Sequence, residues 1–247
     1  MLADRLVAHR GFQKHYPENT LLAHRKAIEA GAHNVETDIH FTADGEPVLF
    51  HDLSMKRLTG HEGLITGCRL DELSTYSAFE PSRLGSHHEG EPIAHLDELV
   101  KLIGDNPQVT AFIEVKETAI IAAGQEPALK RLRRALDPIE DQAVLISFDH
   151  GFIHYAALNG YPRLGAVIHD WRALRNPAVI AADPDYIFCD QQIVPEQSAE
   201  LDNLPFNLVV YEVGDAQTAR HLFDLGVDMV ETFDIGGLLH DLNREAL

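Results

Sequence analysis

Charged and proton-carrying residues in this chain recur at the ends of short apolar runs. His9 and Arg10 close the run Leu6-Val7-Ala8. Glu36 and Asp38 lie two apart, so an extended backbone turns both carboxylates to the same side. His51 and Asp52 follow a second short run, and Glu114 and Lys116, again two apart, end Phe112-Ile113-Glu114-Val115-Lys116. If the strands are parallel and end together, one surface gathers the three carboxylates Glu36, Asp38 and Glu114 with two histidines, an arginine and a lysine. Carboxylates that converge repel one another unless a cation sits among them. All-oxygen ligands suit a hard ion such as Mg²⁺ or Ca²⁺. Such an ion polarises a phosphoryl oxygen and offsets charge as a pentacoordinate state forms. Arg10 could take a second phosphate oxygen, and Lys116 could neutralise the ligand shell or the substrate. His9 and His51 remain for proton transfer, one to deprotonate an attacking oxygen and one to protonate the departing one. Spacing alone leaves open which does which. Taken singly, each residue has a plain structural reading: a strand-end ion pair, a surface histidine. Convergence is what turns them toward chemistry.

Convergence needs elements to produce it. Strands are expected at Leu6–Ala8, Val35–Phe41, Pro47–Phe50, Val109–Val115, Ala143–Phe148, Leu164–Ile168, Tyr186–Cys189, Phe206–Tyr211 and Val227–Val230. Amphipathic stretches separate them, among them Leu21–Ala30, Pro127–Leu136, Ala216–Leu225 and one near Leu238–Glu245. Pro17-Glu18-Asn19-Thr20 reads as a helix start with Asn19 or Thr20 as the cap, which leaves room for a second role in bracing the site. About eight β–α units result, the number for a (β/α)₈ TIM barrel, whose strand C-termini build its active site. A doubly wound open sheet is the runner-up, but His9-Arg10-Gly11-Phe12 after the first strand is no dinucleotide loop. From about residue 52 to 95 the pattern loosens into glycines, serines and short apolar pieces. That stretch reads as a small insertion after the second strand, within a single domain spanning residues 1–247.

Composition narrows the function. The chain has 247 residues, 45% hydrophobic and 24% charged, with a formal net charge of −19. Such a surface repels nucleic acid and anionic membranes, so an anionic substrate needs local positive charge. Two distant cysteines, Cys68 and Cys189, argue against a disulfide framework and suit a reducing compartment. Neither a signal-peptide pattern nor an apolar run long enough to span a membrane is present, so a cytoplasmic location is the expectation.

The order and spacing of several motifs resemble the glycerophosphodiester phosphodiesterase family. They run from Val7-Ala8-His9-Arg10-Gly11 through Pro17-Glu18-Asn19-Thr20, Glu36-Thr37-Asp38, Thr42-Ala43-Asp44-Gly45 and His51-Asp52 to Arg57-Leu58-Thr59-Gly60 and Glu114-Val115-Lys116. The strong match covers about the first half of the chain. The resemblance implies a (β/α)₈ barrel and one divalent cation on Glu36, Asp38 and Glu114. It also implies His9 and His51 as the acid–base pair, with Arg10 at the phosphate. The implied reaction takes a small-molecule glycerophosphodiester to sn-glycerol 3-phosphate and an alcohol. The family is thought to proceed by attack of the neighbouring glycerol hydroxyl and a cyclic phosphate. Departures gather in the second half: Tyr211-Glu212-Val213-Gly214 stands where the family commonly has a tryptophan and an asparagine, and Glu231-Thr232-Phe233-Asp234 is spaced differently from its usual Thr-Asp. Ala94-His95 replaces a Pro-Thr pair. The resemblance therefore leaves the head group open. A lysophospholipid substrate and a non-catalytic phosphodiester-binding protein are the alternatives.

Overall fold

The computed structural model describes residues 1–196, 199 and 201–244. Its described strands are β1 (Leu6–Ala8), β2 (Asn34–Phe41), β3 (Pro47–Leu49), β4 (Thr110–Val115), β5 (Ala143–Ser147), β6 (Leu164–Ile168), β7 (Tyr186–Asp190), β8 (Asn207–Tyr211) and β9 (Met229–Thr232). Parallel pairing runs β1–β2–β4–β5–β6–β7–β8–β9, and β9 pairs back onto β1 through Leu6↔Val230 and Ala8↔Thr232. Eight parallel strands thus close a (β/α)₈ barrel. β3 lies outside that ring, antiparallel to β2.

Two apolar layers explain the closure. The larger one packs the outward faces of the strands against the helices, as the amphipathic helices Leu96–Gly104, Gln125–Leu136 and Ala216–Leu225 require. The smaller comprises Val7, Phe112, Val144, Ile146, Val167, Phe188, Val209 and Met229. The rings of Phe112 on β4 and Phe188 on β7 lie 5.0 Å apart although those strands are not neighbours, so this contact crosses the barrel interior. A strand alternates faces, so residues two positions further along each strand point inward at the next level up. Those positions are His9, Glu114, Phe148, His169, Asp190, Tyr211 and Glu231, and the same face of β2 carries Glu36 and Asp38. The layer beneath the mouth is apolar and packed; the layer at the mouth carries the charge.

Residues 51–95 form short helices at Lys56–Thr59, Leu70–Leu73 and Pro81–Leu84. They close over a small core of their own that includes Val48, Phe50, Met55, Leu58, Ile65 and Leu73.

Most boundaries shift from expectation by a residue or two, and the two nearest the C-terminus shift most. The last strand is Met229–Thr232, two residues later than the expected Val227–Val230. Gly226 caps the preceding helix in the left-handed region, φ +109°, and Val227 packs in the loop while its N–H still bonds to Leu222 O at 3.0 Å. The apolar run therefore starts before the strand does. The terminal helix is Ile235–Arg244, and the expected end at Glu245 lies outside the described residues.

Candidate active site

The site begins with a tight turn after β1. Arg10 and Gly11 both take positive φ, +52° and +81°. A Cβ on Gly11 would sit 2.6 Å from the backbone carbon of Ala23, so no larger residue fits. The turn aims the Arg10 backbone N–H at Glu36 Oε2, 3.0 Å away. It also lays the Arg10 guanidinium between two acids, with Nε 3.0 Å from Asp38 Oδ2 and Nη1 3.0 Å from Glu18 Oε1.

The helix start settles the alternatives left by sequence. Thr20 is the cap, its Oγ1 accepting from Ala23 N at 3.1 Å. Asn19 serves the site instead. Its Nδ2 donates to Asp38 Oδ2 at 2.8 Å, and its Oδ1 accepts from Asp38 N at 3.1 Å and from Thr37 Oγ1 at 2.8 Å. Lys116 Nζ donates to Glu114 Oε1 at 2.6 Å and to Asp38 Oδ1 at 3.1 Å. Glu36, Asp38, Glu114, Arg10 and Lys116 therefore form one connected group.

The two histidines come from opposite sides. Phe50 N–H donates to Asp38 O at 2.9 Å, which holds the end of the β2–β3 hairpin over the mouth and brings His51 to it. His51 Nδ1 lies 2.7 Å from Asp52 Oδ1, and Arg57 from the insertion fixes Asp52 through Nε at 2.7 Å. Arg57 also donates to both oxygens of the buried Glu18, at 2.9 and 2.6 Å, tying the insertion to the Arg10 side. His9 is buried, stacks on Phe233 at 5.1 Å, and places Nδ1 3.1 Å from Glu212 Oε1 and Nε2 3.8 Å from Glu36 Oε2. Each imidazole has a carboxylate beside its Nδ1; for His51 the contact with Asp52 is a hydrogen bond, which puts a proton on Nδ1 and turns Nε2 to the mouth, while His9 Nδ1 only approaches Glu212.

Electrostatics divide the carboxylates. Burial works against the charge of Asp38, but Arg10 and Lys116 outweigh it and hold its carboxyl well below the usual range. Burial pushes Glu36 up, reinforced by Asp38, Glu231 and Glu114; burial and Asp38 push Glu114 up. Glu231 rises through burial, then Glu114 and Glu212. Burial also favours the neutral form of His9, against the opposing pull of Glu212. Negative charge here exceeds what Arg10 and Lys116 neutralise. Glu36 Oε1 and Glu231 Oε1 are buried with no hydrogen-bond partner among the described residues. Ligand atoms of Glu36, Asp38 and Glu114 lie within 4.8 Å of one another, as do those of His9, Glu36 and Glu231. Orphaned hard oxygens in that array fit a divalent cation.

Among the residues singled out from sequence, His9, Arg10, His51, Glu114 and Lys116 line one cavity of about 190 Å³, with Glu36 and Asp38 bonded to its walls. Phe148, Tyr211, Glu212 and Glu231 complete the lining and were not selected as site residues. The alternation Val209–Tyr211 and Met229–Glu231 carries a signal for two of them, visible once the strand ends are known. A groove of about 510 Å³ is lined by Gln13, Lys14, Arg83, Leu84, Gly214, Thr232, Asp234 and Phe233, the residue that stacks on His9.

The sequence profile of the glycerophosphoryl diester phosphodiesterase family matches residues 9–235. The chain belongs to that family. It is an enzyme of the phosphoric diester hydrolase class, a glycerophosphodiester phosphodiesterase. It is similar to a glycerophosphodiester phosphodiesterase of Caldanaerobacter subterraneus subsp. tengcongensis, 27% identical over 235 residues and covering 93% of each chain. Human glycerophosphodiester phosphodiesterase 1 is 35% identical over 147 residues, covering 59% of this chain and 43% of that one. In fold, the family member resembles an Oleispira antarctica phosphodiesterase solved in complex with the product sn-glycerol-3-phosphate. The TM-score is 0.85 at 22% identity, over 97% of this chain and 96% of that one.

Proposed function

We propose that the protein hydrolyses glycerophosphodiesters such as glycerophosphocholine and glycerophosphoethanolamine to sn-glycerol 3-phosphate and an alcohol, with His9 and His51 as the acid–base pair. The observation that carries this reading is the pairing of two imidazoles, each with a carboxylate within 3.1 Å of Nδ1, around one buried carboxylate array. The product bound to the Oleispira enzyme supports the choice of glycerol phosphate.

Glu36, Asp38 and Glu114 would hold a divalent cation, Mg²⁺ or Ca²⁺, whose contribution is to polarise the phosphoryl oxygen. Asn19 fixes the Asp38 carboxylate through its amide, and Lys116 bridges Asp38 to Glu114, so the array keeps its shape between turnovers. Arg10 and Lys116 are the positive groups nearest an incoming phosphodiester, and they lower the cost of bringing an anion to an acidic protein. One histidine takes the proton of the attacking oxygen at Nε2. That oxygen bonds to phosphorus, the P–O bond to the alcohol breaks, and the other histidine, entering the step as imidazolium, gives its Nε2 proton to the departing oxygen. A cytoplasmic site of action, within one domain spanning the chain, belongs to the same proposal. The free thiols Cys68 and Cys189 support a reducing compartment.

Stripping the protein with EDTA and adding back Mg²⁺, Ca²⁺ or Mn²⁺ separately tests the reading, with glycerol 3-phosphate release followed across a panel of head groups. Release should vanish with the chelator, return with the ion, and fall by about 10²–10⁴ in His9→Ala and His51→Ala. Chelator-resistant turnover would overturn the metal's part, and turnover of lysolipids alone would overturn the substrate.

A further inference from the structure

Glu231 has no part in the reaction just described, yet it is one of the most deeply placed carboxylates at the mouth, 3% exposed. It stands on β9, and the closure of β9 onto β1 sets it beside His9. The nearby cations are committed elsewhere: Arg10 to Asp38 and Glu18, Lys116 to Asp38 and Glu114. Glu231 Oε1 and Glu36 Oε1 are both buried without a hydrogen-bond partner among the described residues, and unpaired buried carboxylate oxygens call for a cation. A nitrogen of His9 and one oxygen each of Glu36 and Glu231 lie within 4.8 Å of one another. The 3.8 Å between His9 Nε2 and Glu36 Oε2 puts that nitrogen on the carboxylate side, while Nδ1 faces Glu212 at 3.1 Å. A carboxylate behind Nδ1 is the support that metal-bound histidines use to fix their tautomer and raise their basicity.

We propose that His9, Glu36 and Glu231 form a second divalent-cation site beside the Glu36–Asp38–Glu114 triad, weaker than it, and that filling this site inhibits the enzyme by capturing the His9 imidazole. The inhibition rests on His9 being one of the two proton carriers. Glu36 belongs to both groups, and its two oxygens let it serve two ions. The second site is the weaker because it shares that carboxylate and feels the repulsion of the first ion. Its imidazole nitrogen favours borderline ions such as Mn²⁺ and Zn²⁺ over Mg²⁺ and Ca²⁺. An ion on Nε2 occupies the lone pair that must accept or carry the proton, so turnover stops while the first ion stays in place. Activity should therefore rise and then fall as Mn²⁺ is increased, and the fall should be much shallower with Mg²⁺.

The test is a Mn²⁺ titration of the full chain by equilibrium dialysis with electron paramagnetic resonance, run alongside activity. The expected result is two ions per chain, the second bound at least about tenfold more weakly, with a spin-coupled signal growing over the range in which activity falls. Glu231→Gln should bind one ion, and whatever activity it retains should no longer fall at high Mn²⁺. A single ion per wild-type chain up to millimolar Mn²⁺, or two ions in folded Glu231→Gln, would overturn the site. If Glu231→Gln fails to fold, the wild-type count and spin coupling decide alone. Two ions bound to a protein inert on every glycerophosphodiester would refute the phosphodiesterase reading and the inhibition while upholding the site.

Discussion

Two groups of strand ends at the mouth of the barrel differ in kind. β1, β2 and β4 end in His9, Glu36, Asp38, Glu114 and Lys116, and every one of these side chains except His9 is hydrogen-bonded or ion-paired within a single charged network. His9 approaches that network at Glu36. β5, β6 and β8 end in Phe148, His169 and Tyr211, where the dominant contact is the 4.1 Å stack of Phe148 on His169. One group concentrates field; the other supplies shape. A side chain in the first group is held by partners that also depend on it, so a change there spreads. A side chain in the second group is held mostly by packing, so a change there stays local and alters what fits.

Asp38→Asn should break the charged strand ends most severely. It leaves Arg10 and Lys116 without their shared partner and removes a ligand atom, and kcat/KM should fall by about 10³-fold or more. Cation binding measured by calorimetry should weaken in parallel; intact affinity in an inactive variant would show that Asp38 acts other than through the ion.

Tyr211→Ala should do the opposite. It is expected to shift KM and the ranking of head groups by roughly tenfold while kcat on the best remaining substrate changes little, since losing apolar contact is worth about 1–3 kcal/mol. A kcat collapse comparable to that of Asp38→Asn would erase the distinction between the two groups.

The smallest effect at neutral pH is expected behind the charged strand ends, where His24 lies on the helix Leu21–Glu29 whose cap leads from Asn19. His24 is fully buried, neither ring nitrogen has a hydrogen-bond partner among the described residues, and burial lowers its pKa to about 4. A histidine held neutral in the fold but free to protonate when unfolded contributes its full share of stability above its ordinary pKa near 6.5. That share is lost as pH falls from there toward about 4. The loss is on the order of 3 kcal/mol at the acid end. His24→Leu should flatten the dependence of the melting temperature on pH across that window while changing it little at pH 7. An unchanged slope would mean that other groups set the acid limit.

Legibility from sequence follows the same division. Residues 9 to 116 carry their chemistry in residue types that are costly to bury unpaired, so their spacing reads directly. Phe148 and Tyr211 are apolar-bodied residues at strand ends, and only once the strand ends are known does alternation set Tyr211 apart from core. Glu18 shows a related gap: as the third residue before the first helix it reads as a cap neighbour, and only the structure reveals it between Arg10 and Arg57.

Glu231 marks the boundary between the two kinds of knowledge. Alternation and period, which are local properties of a chain, were enough to point to the barrel and to single out His9, His51, Glu36, Asp38 and Glu114 as candidates. The same reading of the sequence placed Glu231 past the end of a strand that in fact begins two residues later. Nothing local links residue 231 to residue 9. Their meeting is decided by the hydrogen bonds between β9 and β1 that close the ring, where register sets a carboxylate beside an imidazole more than two hundred residues away.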